Sequence, residues 1–210
     1  MSISISFGMN VGDDRSPLGT APTVAFETIR LIARRIESAD VAAMQTVYGD
    51  ADAMRWVGDG KPLSLAQCEK WIEITHRNDG LRGYGMFAMV ERDAGTVIGF
   101  CGLVHPGGQE DAEIKYAFSR QYWGKGFATE AATVLLACGA KAHSLASIIA
   151  TAAPDNVASH RVLLKAGMQK GALRRNDDGT LTQLFVWQPH KSAPSTCISS
   201  QASGQTQPLG

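Results

Sequence analysis

The stretch Arg120-Gln121-Tyr122-Trp123-Gly124-Lys125-Gly126-Phe127-Ala128-Thr129-Glu130-Ala131 sets the first condition on how this chain can fold. Ala112 to Phe118 reads as a strand, two glycines one residue apart read as a tight turn, and the alanine-rich run after them reads as a helix. That order gathers bare main-chain N–H groups at a helix N-terminus, a geometry that binds phosphate. The short apolar run Ser147 to Thr151 follows the helix. A strand reached through a crossover helix has to pair in parallel, so Ser147 to Thr151 is expected beside Ala112 to Phe118.

The residues separate the nucleotide loops that use this physics. A dinucleotide loop wants a third glycine three places after Gly126, where Thr129 stands. A Walker loop wants glycine at position 119 and Ser or Thr at 126, and Ser119 and Gly126 fail both tests. What remains, Gln121-x-x-Gly124-x-Gly126 followed by Ala128-Thr129-Glu130-Ala131, resembles the pyrophosphate loop of the GNAT superfamily of acetyl-CoA-dependent N-acetyltransferases. A second block, Asn156-x-x-Ser159-x-x-x-Leu163-x-Lys165-x-Gly167, resembles the branch typified by RimJ and RimL. The likeness also takes in Glu27-Thr-Ile-Arg30-Leu31 and Glu113-Ile-Lys-Tyr116, and covers roughly residues 26 to 188.

Elsewhere the chain punctuates itself. Thr28 to Arg34 reads as a strand, and Ser38 as the N-cap of a helix running toward Tyr48 with Asp40 in its first turn. A helical turn near Asp52 should end at Gly58. Ser64-Leu-Ala-Gln67 has the capping-box pattern, opening a helix that Asn78-Asp79-Gly80 is expected to stop near Arg77. Tyr84 to Glu91 and Val97 to Val104 read as a hairpin across Asp93-Ala-Gly95, Asn156 as the cap of a helix to about Ala166, and Asp177-Asp178-Gly179 as the turn of a last hairpin. The sum is a mixed α/β (α+β) sandwich. It agrees with the GNAT-like sheet that the resemblance implies, mostly antiparallel with one parallel pair splayed for the cofactor. Residues 1–25 mix Gly, Ser, Pro and Asp around a few apolar residues without a sustained period, and 189–210 are rich in Ser, Gln, Pro and Gly with little to bury, so both are expected to be mobile segments around a domain at 26–188.

Composition excludes several partners. Twenty basic and twenty acidic side chains balance, so no global field favours nucleic acid or an anionic membrane. Cys68, Cys101, Cys138 and Cys197 form no Cys-x-x-Cys pair, which argues against a zinc site or a disulfide framework and for reduced thiols in the cytoplasm. No signal-peptide pattern opens the chain, and no apolar run approaches the roughly 18 residues that span a bilayer.

The resemblance assigns roles position by position. Acetyl-CoA is the implied cofactor, without a metal. Amides from about Gln121 to Thr129, Ala128 among them, are expected on its diphosphate, with Gly124 and Gly126 giving clearance and Lys125 or Thr129 adding side-chain contacts. Tyr116, Ala117 and Phe118 would flank the pantetheine arm and supply an N–H to the growing oxyanion. Asn156 and Ser159 would touch the pantetheine or the water near the thioester, and both also suit helix capping. Attack needs a free amine, and Glu113 is the candidate base, directly or through water. Period two sets Lys115 on the same face, where it would lower the basicity of Glu113, or simply pair with it. The tyrosine that many relatives place seven residues after the Asn is Leu163 here, with Tyr116 a substitute donor to the departing thiolate. His105 and Asp59 are weaker candidates at the acceptor side. Trp56, Trp71, Trp123 and Trp187 read as core or cleft wall, and Cys101 and Cys138 as core. The expected partner is an amine, either a protein N-terminus or a small molecule, with a homodimer through the last strands also implied. A non-catalytic acyl-CoA sensor and a purely structural role are the alternatives.

Overall fold

The computed structural model describes residues 23–189 other than 59 and 177. Eight strands form one sheet: β1 (Val24–Glu27), β2 (Leu31–Arg35), β3 (Met86–Glu91), β4 (Thr96–Val104), β5 (Ala112–Phe118), β6 (Ile148–Ala152), β7 (Gln169–Arg175) and β8 (Leu181–Trp187). Their order is β1-β2-β3-β4-β5-β6-β8-β7. Every pairing is antiparallel except β5 with β6. The helices are α1 (Val41–Tyr48), α2 (Ala51–Met54), α3 (Leu65–Arg82), α4 (Phe127–His143) and α5 (Val157–Lys165). This is the mixed α/β architecture expected from the element order.

Strand alternation buries both faces of the sheet. Along β3, Phe87 and Met89 join the core beneath α4 and α5, while Met86 and Ala88 join a second core beneath α1, α2 and α3. The larger core holds Phe26, Leu31, Phe127, Leu136 and Phe185; the smaller holds Met44, Tyr48, Cys68, Ile72 and Phe100.

Two boundaries differ from the sequence reading. A strand, β1, precedes Thr28, because Phe26 is buried and the β1–β2 turn falls at Thr28 to Arg30. Helix α3 runs through Asn78-Asp79-Gly80 to Arg82. Asp79 turns inward to an ion pair with Arg35 at 3.0 Å, and the chain reverses only at Gly83, whose φ of 75° ends the helix in the left-handed conformation. The start of α3 is as expected, with Ser64 Oγ accepting from Gln67 N and Gln67 Oε1 from Ser64 N. Most of the proposed terminal segments, with Asp59 and Cys197, lie outside the described residues.

Candidate active site

The crossover through α4 brings β5 and β6 together only at their beginnings, where Ala112 faces Ile148 and Glu113 faces Ile149. Beyond that point no pairing joins them, although β5 continues to Phe118 and β6 to Ala152. A cavity of about 1630 Å³ occupies the fork. Ser119 N donates to Ile98 O of β4 at 2.9 Å. Strand alternation therefore turns the N–H groups of Tyr116 and Phe118 the other way, into the open side of the fork.

At one end of the cavity lies the glycine turn. Gly124 and Gly126 have φ of 73° and 85°, a conformation L side chains rarely adopt. Gly126 N-caps α4, and the helix's first main-chain bond is Glu130 N to Gly126 O at 3.0 Å. Among the described residues, nothing accepts the N–H groups of Gly124, Lys125, Gly126, Phe127, Ala128 or Thr129. Six successive free donors at the positive end of a 17-residue helix make an anion cradle.

Of the residues singled out from sequence, Tyr116, Ala117, Phe118, Gly124, Gly126, Ala128, Thr129, Asn156 and Ser159 border the cavity. Gln121 and Lys125 do not; Lys125 instead reaches back over the Tyr122 ring, 5.3 Å from its centroid. Asn156 Oδ1 accepts from Ser159 N at 3.1 Å, so the capping role is present. The Tyr116 hydroxyl lies 2.7 Å from Ser159 Oγ and joins β5 to α5. Burial pushes the Tyr116 phenol well above its ordinary range, against the opposing bond to Ser159. Leu163, where relatives carry tyrosine, is buried in the larger core.

Glu113 is fully buried and does not border the cavity. Its carboxylate accepts from Lys115 Nζ at 2.5 Å, Thr151 N at 3.0 Å, the Thr151 hydroxyl, and Gln109 Nε2 at 3.5 Å. The pairing with Lys115 follows the period-two reading, but direct contact of Glu113 with an amine is closed off. Lys115 and Thr151 stand between it and the cavity, and both line it.

Across the fork, Trp56, Trp71, Ile74, Arg77 and His105 line the opposite wall. Trp71 and Ile74 lie on α3, whose other side packs through Cys68 and Ile72. His105 is fixed at both ring nitrogens, Nδ1 donating to Gln109 O at 2.9 Å and Nε2 lying 2.8 Å from the Tyr84 hydroxyl. Trp123 also borders the cavity and donates to Phe118 O at 2.6 Å, holding the end of β5. Trp187 is buried in the core, and Cys101 is a buried thiol that burial holds protonated. Among the described residues no group of His, Cys, Asp and Glu could hold a metal, and no helix is long and apolar enough to cross a membrane.

Comparison with known proteins agrees with this geometry. Residues 30–169 match the profile of the acetyltransferase (GNAT) domain. The chain is 32% identical over 143 residues to the uncharacterised N-acetyltransferase YnaD of Bacillus subtilis, covering 68% of this chain and 81% of that protein. A GNAT-family acetyltransferase from Bacillus anthracis superposes with a TM-score of 0.68 at 24% identity, over 78% of this chain and 98% of that one. RimL, a ribosomal L7/L12 α-N-protein acetyltransferase solved with coenzyme A, superposes with a TM-score of 0.66 at 16% identity, over 77% and 95% of the two chains. At those identities the solved structures share the fold. The domain match and the relative at 32% carry the assignment further: the chain belongs to the GNAT acetyltransferase family, which implies acetyl transfer from acetyl-CoA.

Proposed function

We propose that the chain is an N-acetyltransferase of the RimJ/RimL-like branch that moves the acetyl group of acetyl-CoA to a primary amine, a protein N-terminus or a small molecule, by direct attack in a ternary complex. The observation that carries this reading is the run of six free N–H groups from Gly124 to Thr129 beside a forked strand pair. These amides take the diphosphate, and the fork takes the pantetheine arm between β5 and β6. The amine enters from the wall of Trp56, Trp71 and Ile74.

The chemistry then rests on a few groups. The main-chain N–H of Tyr116 or Phe118 stabilises the oxyanion as the amine attacks the thioester carbon. The Lys115 ammonium on the cavity wall disfavours a second positive charge beside it, and so favours the acceptor as free amine. A proton bound for Glu113 passes by way of Lys115 or the Thr151 hydroxyl. Tyr116, kept protonated by burial, offers a hydrogen bond toward the departing thiolate in the place Leu163 leaves empty. No covalent enzyme intermediate is required.

The test is calorimetric titration with CoA alongside thiol release from acetyl-CoA against a panel of amines and N-terminal peptides. Saturable CoA binding with amine-dependent thiol release is expected. Binding without turnover on any amine would make the protein an acyl-CoA sensor, and absence of binding would remove the reading altogether.

A further inference from the structure

The sequence motif Glu27 to Leu31 has so far no part in the site. Arg30, in the turn between β1 and β2, does not border the cavity and approaches the glycine turn from behind. Its main-chain N donates to Glu130 Oε1 at 2.8 Å and its Nε to Glu130 Oε2 at 2.7 Å. Thr28 Oγ1 adds a bond to Glu130 Oε1 at 2.6 Å. The guanidinium also stacks on Phe127, 4.2 Å from the ring centroid, and its Nη1 donates to Lys125 O at 3.0 Å.

That last bond fixes an orientation. The peptide joining Lys125 to Gly126 is trans, so its C=O and N–H point in opposite directions. With the carbonyl held outward by Arg30, the Gly126 N–H is aimed away from Arg30. Glycine at 126, unrestricted in φ, leaves this peptide free to turn over. Inverted, it would present a carbonyl oxygen to phosphate in place of a donor. Glu130, in the first turn of α4, holds the Arg30 turn at its post, its carboxylate accepting from the Thr28 hydroxyl, the Arg30 main-chain N and the Arg30 guanidinium.

The geometry points to Arg30 and Glu130 as positioning residues for the diphosphate site, a latch that sets the Lys125–Gly126 peptide in its anion-binding orientation. This inference rests on the phosphate-binding reading of the turn and adds a specific claim: the latch acts on the diphosphate and leaves the pantetheine end of the site untouched.

Arg30→Met keeps a long apolar stem over Phe127, but its side chain can bond neither Lys125 O nor Glu130, while the main-chain N of residue 30 keeps its bond to Glu130 Oε1. Titration of the full chain with CoA, ADP and pantetheine separates the possibilities. CoA and ADP should bind about 10- to 100-fold more weakly to the variant, as two hydrogen bonds from a charged donor are lost. Pantetheine, which lacks a diphosphate, should bind as before. Arg30→Lys reaches one acceptor at a time and should fall between. Glu130→Gln, a second variant independent of the first, should show the same selective loss in smaller measure. Equal weakening for CoA and pantetheine, or unchanged CoA and ADP affinity in either folded variant, overturns the latch while leaving the cofactor site in place. If the unsubstituted chain binds neither CoA nor ADP, the reading of the turn fails and the latch with it.

Discussion

Two polar constellations sit at opposite ends of β5, and they are built on contrary principles. At its C-terminal end, past Phe118, six successive main-chain donors have no acceptor among the described residues, and all of these residues but Lys125 border the cavity. At its N-terminal end one carboxylate, Glu113, is fully buried and accepts from four donor groups on Gln109, Lys115 and Thr151. Unfilled donors at a helix start gain most from an anion that arrives later. A saturated, buried carboxylate has little left to offer a substrate, and its first effect is to pin the point where β5 and β6 part. Residue type alone would rank the glutamate as chemistry and the glycines as a turn; the state of their hydrogen bonds reverses that ranking.

The largest effect that tests the contrast is on stability. Glu113→Ala leaves the Thr151 N–H without its acceptor and the Lys115 ammonium with the Thr151 hydroxyl, 3.1 Å away, in place of a carboxylate. Loss of one partner from a buried pair costs about 3–5 kcal/mol, and Lys115, partly open to solvent, sets the lower end of that range. Denaturant unfolding should show this loss, with CoA affinity of the folded fraction changed only a few-fold. A loss of affinity without a loss of stability would break the comparison.

Gly126→Asp should show the converse pattern. The new carboxylate stands against the diphosphate, so CoA binding measured by calorimetry should fall about 100-fold, comparable to one lost charge-assisted contact with repulsion added. Stability should fall by only about 1–2 kcal/mol, the cost of a side chain in the left-handed region at φ 85°. A variant equally damaged in both measurements would place the turn with Glu113 as scaffold.

How much of this was open to reading depended on the range of the interactions. The turn is local: its glycines, its helix and the parallel return through Ser147 to Thr151 are all set by neighbours in sequence, and all were legible. So was the period-two pairing of Glu113 with Lys115. The burial of Glu113 was not, because it depends on Thr151, 38 residues away. The length of α3 was hidden for the same reason: Asp79 in a helix-breaking triplet reads as a stop until Arg35 is placed beside it. β1 was hidden because Val24 to Glu27 follows a long polar stretch and acquires its strand character from pairing with β2. The division of α3 into a core side and a cavity side needed the cavity itself.

A smaller effect concerns pH. Burial pushes the Glu130 carboxyl up, but the bonds from Thr28 and from the main chain and side chain of Arg30, with the Arg30 charge, outweigh it and hold the group below its ordinary 4.5. A depressed carboxyl contributes stability that is fully present above its unfolded value and is lost as pH falls through the folded one. The unsubstituted chain should therefore exceed Glu130→Gln by about 1–2 kcal/mol at neutral pH, the ordinary contribution of hydrogen bonds to a charged group. The gap should close as pH falls below about 4.5 and through the lowered folded value. A gap that persists in acid would mean that shape, rather than charge, holds the latch, and would bring the turn closer in kind to the Glu113 fork.

The smallest effect lies away from both ends of β5 and serves as their control. His143 ends α4 with its ring on Tyr84, 4.7 Å between centroids; burial lowers its pKa from 6.5, against the raising charge of Asp79. A lowered histidine binds fewer protons folded than unfolded. Stability is therefore unaffected well above 6.5, declines as pH falls through that value, and levels off once the folded ring also takes its proton. Because solvent reaches part of the ring and Asp79 recovers part of the cost, the decline should be about 0.5 kcal/mol. His143→Phe keeps the ring contact and should flatten the unfolding midpoint between pH 8 and about pH 5. CoA affinity should be the same in both proteins across that range, since neither His143 nor Tyr84 borders the cavity. A pH-dependent change in CoA binding that disappears with His143→Phe would tie the far end of α4 to its phosphate end, and the independence assumed for the two ends of β5 would then need the whole helix in its account.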